Sequence, residues 1–247
     1  SAKKNGFHLM AVIKRRLRTD FIADVSHEWK TPLAVIQNYA TLLQAPGLTE
    51  EQRGAYATAI AQATRRLSEM ITNVLKLNKL ENQQIFPHWT RYNLNEQLCE
   101  CLLGFEDAWE KKGLKIETAL NEDIFLLGDP ELLSLVWNNL ISNAIKFTAP
   151  GGTVRVELQA RDAFAVVTVS DTGCGISPEV GRHIFEKFYQ GLIERLQGVL
   201  KEHAVQGNGL GLALVKRVVD IFGGEISVES QAGQGSAFSV ALRREPG

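Results

Sequence analysis

A histidine and a glutamate stand side by side at His27 and Glu28. A neutral imidazole is a nucleophile, and a neighbouring carboxylate can take up the proton that the ring loses during attack. Because the pKa of an unperturbed histidine is about 6.5, most of the ring is neutral at pH 7 and the base assists mainly during attack. The pair is a candidate for nucleophilic chemistry. An isolated histidine beside a glutamate is more often an ordinary surface or core residue.

A second group of polar residues lies on the helix predicted to begin near Pro130. Asn139, Asn143 and Lys146 are spaced four and three residues apart, which places them on one helix face. Asparagine oxygens are hard ligands that suit Mg²⁺, and a lysine one turn later can contact phosphate. The same pattern is also common at the ends of ordinary helices, so it is weak evidence by itself.

Two glycine-rich segments complete the candidate chemistry. Asp171–Gly175 follows a predicted strand, where glycines let a ligand approach the backbone and Asp171 can accept a hydrogen bond from an amino group. Gly207–Gly211 opens a predicted helix, whose free backbone N–H groups can bind phosphate. Most such segments are only turns, but the order and spacing of all these motifs together argue against coincidence.

Two long amphipathic helices are predicted to position the histidine. Apolar residues recur at spacings of three and four from residue 7 to about 45, and again after Thr49. Thr49-Glu-Glu-Gln52 matches a capping box, which begins the second helix. The short turn between the helices predicts an antiparallel hairpin, and dimerisation into a four-helix bundle would cover its apolar stripe.

The remainder of the chain predicts a two-layer α/β sandwich. A helix is predicted for 95–112 and a strand for 114–120. Asp129 as N-cap and Pro130 at the first helical position begin a helix that extends to about residue 147. The other predicted elements are strands at 153–158, 165–170, 225–229 and 236–242 and a helix at 210–222.

Composition excludes several classes. The formal net charge of −1 over 247 residues does not favour a nucleic-acid binder. Cys99, Cys101 and Cys174 lack the spacing of a zinc site or a disulfide framework, which favours a reducing compartment. No apolar run reaches the roughly 18 residues of a membrane span. We therefore expect this part of the protein to be cytoplasmic, with any membrane anchor in segments absent from this chain.

In order and spacing, these motifs resemble the catalytic core of a two-component sensor histidine kinase over about residues 20 to 242. The resemblance implies an α+β architecture, with an antiparallel helical hairpin followed by an ATP-binding sandwich of the Bergerat type. The implied domains are a signalling helix or linker at 1–20, a dimerisation and phosphotransfer hairpin at 21–82, a linker at 83–92 and an ATP-binding domain at 93–247. The matching motifs are an H-box at His27, an N-box at Asn139–Thr148, a G1 box at Asp171–Gly175, an F-box at Phe185–Phe188 and a G2 box at Gly207–Gly211.

The resemblance also implies activity and partners. The protein would phosphorylate itself on His27 from ATP, with Glu28 as general base, and pass the phosphoryl group to an aspartate on a response-regulator receiver domain. It would act as a homodimer, with the regulator docked on the hairpin near His27. Thr31, one turn after the histidine, would orient a water for dephosphorylating the regulator.

Roles for the ATP site follow from the same resemblance. Asn143 would bind Mg²⁺, with Asn139 close to the same site. Lys146 would contact the phosphates, and Asp171 would accept a hydrogen bond from the adenine amino group. The other nucleotide contacts implied are Gly173, Gly175, Gly207, Gly209 and Gly211.

Two features depart from the family pattern. Gln190 stands where relatives often carry an arginine, so Lys187 is the cation expected to replace it. Apolar residues within 192–203 predict an amphipathic helix in a loop that is usually short and polar. That helix can be a lid packed on its own domain, a grafted or engineered replacement, or a binding helix for another subunit or protein. These departures leave open an inactive or engineered pseudokinase scaffold, and a different ATPase on the same nucleotide fold is a third possibility.

Overall fold

The computed structural model describes residues 26, 29–82, 86–120, 123–186 and 209–244. The chain divides into two units. One contains the described residues up to Leu75 together with 209–210, and the other contains those from Lys76 to Glu186 and from Gly211 onward. The described helices are α1 (29–43), α2 (Glu50–Glu81), α3 (Leu94–Leu103), α4 (Glu106–Lys112), α5 (Pro130–Phe147), α6 (Pro178–Gly181) and α7 (Gly211–Ile221).

The first unit is the predicted helical hairpin. Helix α1 ends at residue 43, and a turn that contains Gly47, with φ of +80°, precedes α2. The rings of Tyr39 and Tyr56 lie 5.4 Å apart between centroids, so the two helices pack side by side in antiparallel directions. The residues predicted to extend α1 to residue 7 lie outside the described part of the chain, apart from Ser26.

The predicted capping box at the start of α2 is confirmed. The backbone N–H of Gln52 donates to Thr49 Oγ1 over 3.2 Å, and the backbone N–H of Thr49 donates to Gln52 Oε1 over 3.0 Å. Each side chain therefore satisfies a backbone donor that the first helical turn leaves without an intrahelical partner.

The second unit is a sheet covered on one face by helices, as predicted. Its five strands have the order β2-β4-β5-β7-β6, with β2 parallel to β4 and every other pair antiparallel. Helix α5 packs against α3, α7 and β5, so it lies at the centre of the helical layer. The described strands are β1 (Thr90–Asn93), β2 (Lys115–Ala119), β3 (Phe125–Gly128), β4 (Thr153–Arg161), β5 (Phe164–Asp171), β6 (Glu225–Gln231) and β7 (Gly235–Arg243).

Helix α5 begins as the sequence predicts. Asp129 Oδ1 accepts the backbone N–H of Leu132 over 3.0 Å, and its other oxygen accepts the backbone N–H of His88 over 2.8 Å. Further along α5, Trp137 is fully buried, and its indole N–H donates to Gln97 Oε1 over 2.9 Å. The core around α5 is thus apolar, and this buried indole donor has a hydrogen-bond partner.

One prediction about secondary structure was wrong, and one strand was missed. The single helix predicted for 95–112 is two helices, because the chain leaves the helix at Gly104 and resumes it at Glu106. Glycine is about 1 kcal/mol less favourable than alanine in a helix interior, so this position is a weak point. The short strand β3 was not predicted. It pairs antiparallel with β1, which begins within the predicted linker at 83–92.

Within the described part of the chain, no helix is both long enough and apolar enough to cross a membrane. The amphipathic helix predicted for 192–203 lies outside the described residues.

Candidate functional site

Helix α5 contacts both other segments of the candidate site in the α/β unit, namely the start of α7 and the loop after β5. An ideal β-carbon on Gly211, the first residue of α7, would lie 2.5 Å from Asn139 Oδ1. An ideal β-carbon on Gly173, in the loop after β5, would lie 2.4 Å from the carbonyl oxygen of Phe147. Only glycine fits at these two positions without a shift of its neighbours. Its lack of a side chain lets the start of α7 and the loop after β5 pack directly against α5.

Asn139 is oriented by its own helix. Its amide N–H donates to the carbonyl oxygen of Leu135 over 2.6 Å, one turn earlier. The amide oxygen is thereby directed to the start of α7, where the first backbone N–H groups lack intrahelical acceptors. Asn143 and Lys146 are half-buried further along α5, and Lys146 Nζ lies 5.0 Å from the ring centroid of Phe147. The α5 face therefore offers amide oxygens and an ammonium group beside a helix N-terminus.

Asp171 is the last residue of β5 and the start of the glycine loop. One carboxylate oxygen accepts the backbone N–H of Gly173 over 2.8 Å. Burial raises the pKa of this carboxyl above its ordinary value, and the backbone N–H groups of Gly173 and Ser236 act in the opposite direction. A half-buried carboxyl with a fixed orientation can accept a hydrogen bond from an amino group of a ligand.

The β6–β7 hairpin holds the glycine loop in place. The backbone N–H of Ile176 donates to Ser230 Oγ over 2.8 Å, and the N–H of Gly233 donates to the carbonyl of Cys174 over 2.7 Å. Gly175, with φ of +65°, lies so close to the hairpin that an ideal β-carbon would be 2.0 Å from the carbonyl oxygen of Gln231. The loop that carries Gly173 and Gly175 is therefore supported from outside its own segment.

Sequence reasoning did not identify the residues of this support. An ideal β-carbon on Gly235 would lie 1.9 Å from the carbonyl oxygen of Asp171, and Ser230 Oγ donates to the carbonyl of Gly235 over 2.8 Å. A glycine-serine segment between two predicted strands was the available signal, but nothing local shows what it contacts.

The structure places only part of the predicted set. Thr31 is exposed on α1, and Gly209 has φ of +61° at a bend before α7. Four predicted residues lie outside the described part of the chain, namely His27, Glu28, Lys187 and Gly207. The predicted site residues that the structure describes in the α/β unit are Asn139, Asn143, Lys146, Asp171, Gly173, Gly175 and Gly211.

The donor chemistry of the α5 face fits Mg²⁺ better than a softer metal. Within the described ranges, no cluster of three or more His, Cys, Asp or Glu residues could hold a metal ion. The side chains that α5 presents are asparagine amides, and Mg²⁺ usually keeps several waters and binds through few protein oxygens plus substrate phosphates.

Two family models match the chain. Residues 17–83 match the His Kinase A phospho-acceptor domain. Residues 128–246 match the histidine kinase-, DNA gyrase B- and HSP90-like ATPase family. The first match includes His27, and the second includes the whole α5, β5 and α7 site.

Curated relatives agree with these matches. The sensor histidine kinase YcbM of Bacillus subtilis is 31% identical over 225 residues, which cover 90% of this chain and 70% of YcbM. The sensor-like histidine kinase SenX3 of Mycobacterium tuberculosis is 32% identical over 225 residues, which cover 91% of this chain and 53% of SenX3. The chain thus spans about half the length of SenX3. This chain therefore belongs to the sensor histidine kinase family.

Solved structures show the same architecture. Histidine kinase ThkA in complex with the response regulator protein TrrA matches with a TM-score of 0.72 and 25% identity, over 92% of this chain and 62% of that chain. Full-length ShkA in complex with AMPPNP matches with a TM-score of 0.65 and 28% identity, over 92% of this chain and 47% of that chain. The predicted helical hairpin followed by an α/β sandwich is confirmed.

Proposed function

We propose that this chain is an ATP-dependent protein-histidine kinase that phosphorylates itself on His27 and then transfers the phosphoryl group to an aspartate of a response regulator. The observation that carries the proposal is the convergence of the Asp171 loop and the Gly211 helix start on α5. Residues 17–83, which match the phospho-acceptor family, supply the histidine.

The ATP-binding roles rest on the positions of the described groups. Asp171 would accept a hydrogen bond from the adenine amino group, and the loop of Gly173 and Gly175 would give the base room to approach its backbone. Gly211 begins α7, and its first-turn N–H groups favour an anionic phosphate. The remaining proposed phosphate contacts are Lys146, Lys187, Gly207 and Gly209.

Asn143 would hold Mg²⁺ through its amide oxygen, with Asn139 beside it. When bound, the ion would neutralise charge on the phosphates. Asn139 fits this role because its N–H is engaged by Leu135, so its amide oxygen is the atom directed toward the start of α7. The hard oxygen donors of these two residues match the preference of Mg²⁺.

In the proposed reaction an imidazole nitrogen of His27 attacks the γ-phosphorus of ATP, and the bond from that phosphorus to the bridging oxygen of ADP breaks. Glu28 takes the proton that the imidazole releases. Catalysis of this kind depends mainly on positioning and charge neutralisation. The receiver aspartate would then attack the phosphorus on His27, and the phosphorus–nitrogen bond would break. Thr31 would orient a water molecule that hydrolyses the phosphoryl group from the response regulator, which is the proposed phosphatase activity.

A homodimer is proposed because the hairpin leaves large apolar side chains partly uncovered within one chain. Leu33 and Leu42 of α1 are 43% and 45% exposed, and Leu75 of α2 is 55% exposed. A second hairpin would cover such residues in a four-helix bundle. The receiver domain is proposed to dock on the hairpin near His27. A response regulator is a fitting partner because the similar kinase ThkA was solved in complex with one. The domain boundaries at residues 21, 83 and 93 and the cytoplasmic location stay predictions.

Incubation of the chain with γ-labelled ATP and Mg²⁺ tests the proposal. We expect acid-labile, alkali-stable label that is lost in His27→Gln and retained in His88→Gln, a matched change at an exposed histidine. Glu28→Ala should slow labelling while nucleotide affinity stays nearly unchanged, because Glu28 belongs to the hairpin family match and not to the ATPase match.

Three other results would contradict the proposal in different ways. ATP binding without label on His27 would favour the pseudokinase scaffold. Phosphate release that persists in His27→Gln would favour a general ATPase. Equal loss of labelling and nucleotide affinity in Glu28→Ala would remove Glu28 as the base.

A further inference from the structure

The ammonium group of Lys112 caps the C-terminal end of α5. Its Nζ donates to the carbonyl oxygens of Ile145 and Lys146 over 2.8 Å each, and to that of Thr148 over 3.0 Å. The three donors of one ammonium group therefore match three acceptors. Lys112 is the last residue of α4, and its side chain reaches carbonyls 33–36 residues away in sequence.

These acceptors need a partner. The last carbonyls of a helix have no intrahelical donor, and the C-terminal end of the helix carries partial negative charge. A half-buried lysine at this point satisfies both the hydrogen bonding and the charge. Removing the ammonium group would leave three carbonyl oxygens without this donor, so the last turn of α5 should loosen.

The backbone around Lys112 is fixed in the same place. Gly113 ends α4 in the left-handed region with φ of 60°, and the N–H of Leu114 donates to the carbonyl of Trp109 over 3.0 Å. The carbonyl of Lys112 accepts the N–H of Gly151 over 3.2 Å. Lys112 thus connects the end of α4 both to the end of α5 and to the turn that leads into β4.

The capped turn is the one that carries the candidate site. Lys146 lies within it, and Asn143 lies one turn earlier. The carbonyl of Phe147, between the capped carbonyls of Lys146 and Thr148, faces Gly173, where an ideal β-carbon would lie 2.4 Å away. One side of this turn is therefore held by Lys112, and the other side supports the glycine loop.

We propose that Lys112 is a positioning residue of the nucleotide site. It holds the last turn of α5, and thereby fixes Lys146 and the Phe147 carbonyl against which Gly173 packs. Lys112 does not touch the nucleotide in this proposal, which rests on the proposed ATP-dependent function.

The test compares variants of the whole chain in titrations with AMPPNP and Mg²⁺ by calorimetry. Lys112→Met should weaken affinity by about tenfold. Lys112→Arg keeps the charge and several donors, so it should recover affinity to within about threefold of the parent chain. Lys111→Met, a matched change at an exposed lysine of the same turn, should leave affinity within about twofold.

A separate control removes general stability as the cause. Leu98→Ala truncates a fully buried side chain of α3, which should destabilise the unit without touching the capped turn. We expect its affinity for AMPPNP to stay near that of the parent chain at a temperature where it is folded.

In Lys112→Met, the KM for ATP should rise about tenfold in autophosphorylation, with kcat changed by less than about twofold.

Equal affinity of Lys112→Met and the parent chain would overturn the inference, as would an equal loss in Leu98→Ala. If Lys112→Met does not fold, Lys112→Gln takes its place, because it removes the charge and shortens the reach to the three carbonyl oxygens. Affinity below that of Leu98→Ala would support positioning, and affinity and KM equal to those of the parent chain would overturn it. Failure of the parent chain to bind AMPPNP would overturn the proposed function and this inference together.

Discussion

The amide oxygen of Asn139 lies against the first residue of α7, so closely that an ideal β-carbon on Gly211 would be 2.5 Å from it. The amide cannot easily turn away, because its N–H donates to the carbonyl of Leu135 over 2.6 Å. The contact joins the middle of α5 to the start of α7. It therefore couples the proposed metal-binding face to the proposed phosphate-binding helix end.

Gly211→Ala should reduce affinity for AMPPNP and Mg²⁺ by at least about tenfold, because the new methyl group must displace the Asn139 amide. Alanine is about 1 kcal/mol better than glycine in a helix, and this gain offsets the cost of displacing the amide. The free energy of unfolding should therefore change by less than about 1 kcal/mol. Calorimetric titration and urea unfolding measure the two effects. Affinity equal to that of the parent chain would show that the amide moves at no cost to the site.

Gly54→Ala is the matched control for that substitution. Gly54 is exposed within α2, and an ideal β-carbon there meets nothing within 4 Å. The change should raise stability by about 0.5–1 kcal/mol through lower backbone entropy of the unfolded chain. AMPPNP affinity should be unaffected.

Asp171→Asn should remove discrimination for the adenine amino group. The retained oxygen can still accept the Gly173 N–H, but the new NH₂ group cannot accept a hydrogen bond from an amino group. The loss of a charged hydrogen bond, about 1.5–3 kcal/mol, corresponds to about tenfold to hundredfold in affinity. We expect the parent chain to prefer ATP over inosine triphosphate in competition with AMPPNP, and the variant to lose that preference. Retained preference in the variant would exclude Asp171 as the acceptor.

The same substitution has a pH signature in stability. Burial raises the pKa of Asp171 above its ordinary value of 3.8, so the folded state holds the proton more tightly than the unfolded state. The contribution of Asp171 to stability is then complete below about pH 3.8 and is lost as pH rises through the raised pKa. Stability of Asp171→Asn relative to the parent chain should therefore increase with pH across that window. Urea unfolding in a pH series measures the difference, and a flat or falling difference would contradict the direction of the shift.

The elements that were predictable carry their signals locally. Helix α5 has an N-cap, a proline at its first position and a continuous apolar period, all within one segment. The capping box of α2 likewise needs only four consecutive residues. The Asp171 motif was recognisable for the same reason, because the carboxylate and the glycines that it orders are neighbours in sequence.

The features that were missed depend on distant partners. Strand β3 is only four residues long and is stabilised by pairing with β1, more than 30 residues earlier. Ser230 and Gly235 support a loop about 60 residues before them, and the Lys112 side chain caps a helix end that lies 33–36 residues away. Composition and periodicity contain no information about such contacts, since they arise only when the sheet and helical layer assemble.

Tyr92→Phe should maintain or raise stability. The Tyr92 hydroxyl is buried and, among the residues that the structure describes, has no hydrogen-bond partner. Burial raises its pKa, and the nearby Cys101 and Asp129 act in the same direction. Removing the hydroxyl should change the free energy of unfolding by about 0 to +1 kcal/mol, because an unsatisfied buried polar group is costly.

Urea unfolding followed by the intrinsic fluorescence of the four tryptophans, which include the fully buried Trp137, measures this change. Tyr92→Leu, which also removes the ring, should instead destabilise by about 2–4 kcal/mol. A loss of more than about 1 kcal/mol in Tyr92→Phe would show that the hydroxyl makes a stabilising hydrogen bond after all.

Thr49→Ala should destabilise the start of α2 by about 0.5–2 kcal/mol, because its hydroxyl is the acceptor for the Gln52 N–H. Thr58→Ala is the matched control within the same helix. The hydroxyl of Thr58 donates to the carbonyl of Gly54, and alanine is the better helix former, so that change should stabilise by a few tenths of a kcal/mol. Hydrogen exchange at the amides of residues 50–53 reports the cap directly. Faster exchange there in Thr49→Ala but not in Thr58→Ala is the expected pattern, and equal protection in both variants would mean that the cap does not set the start of the helix.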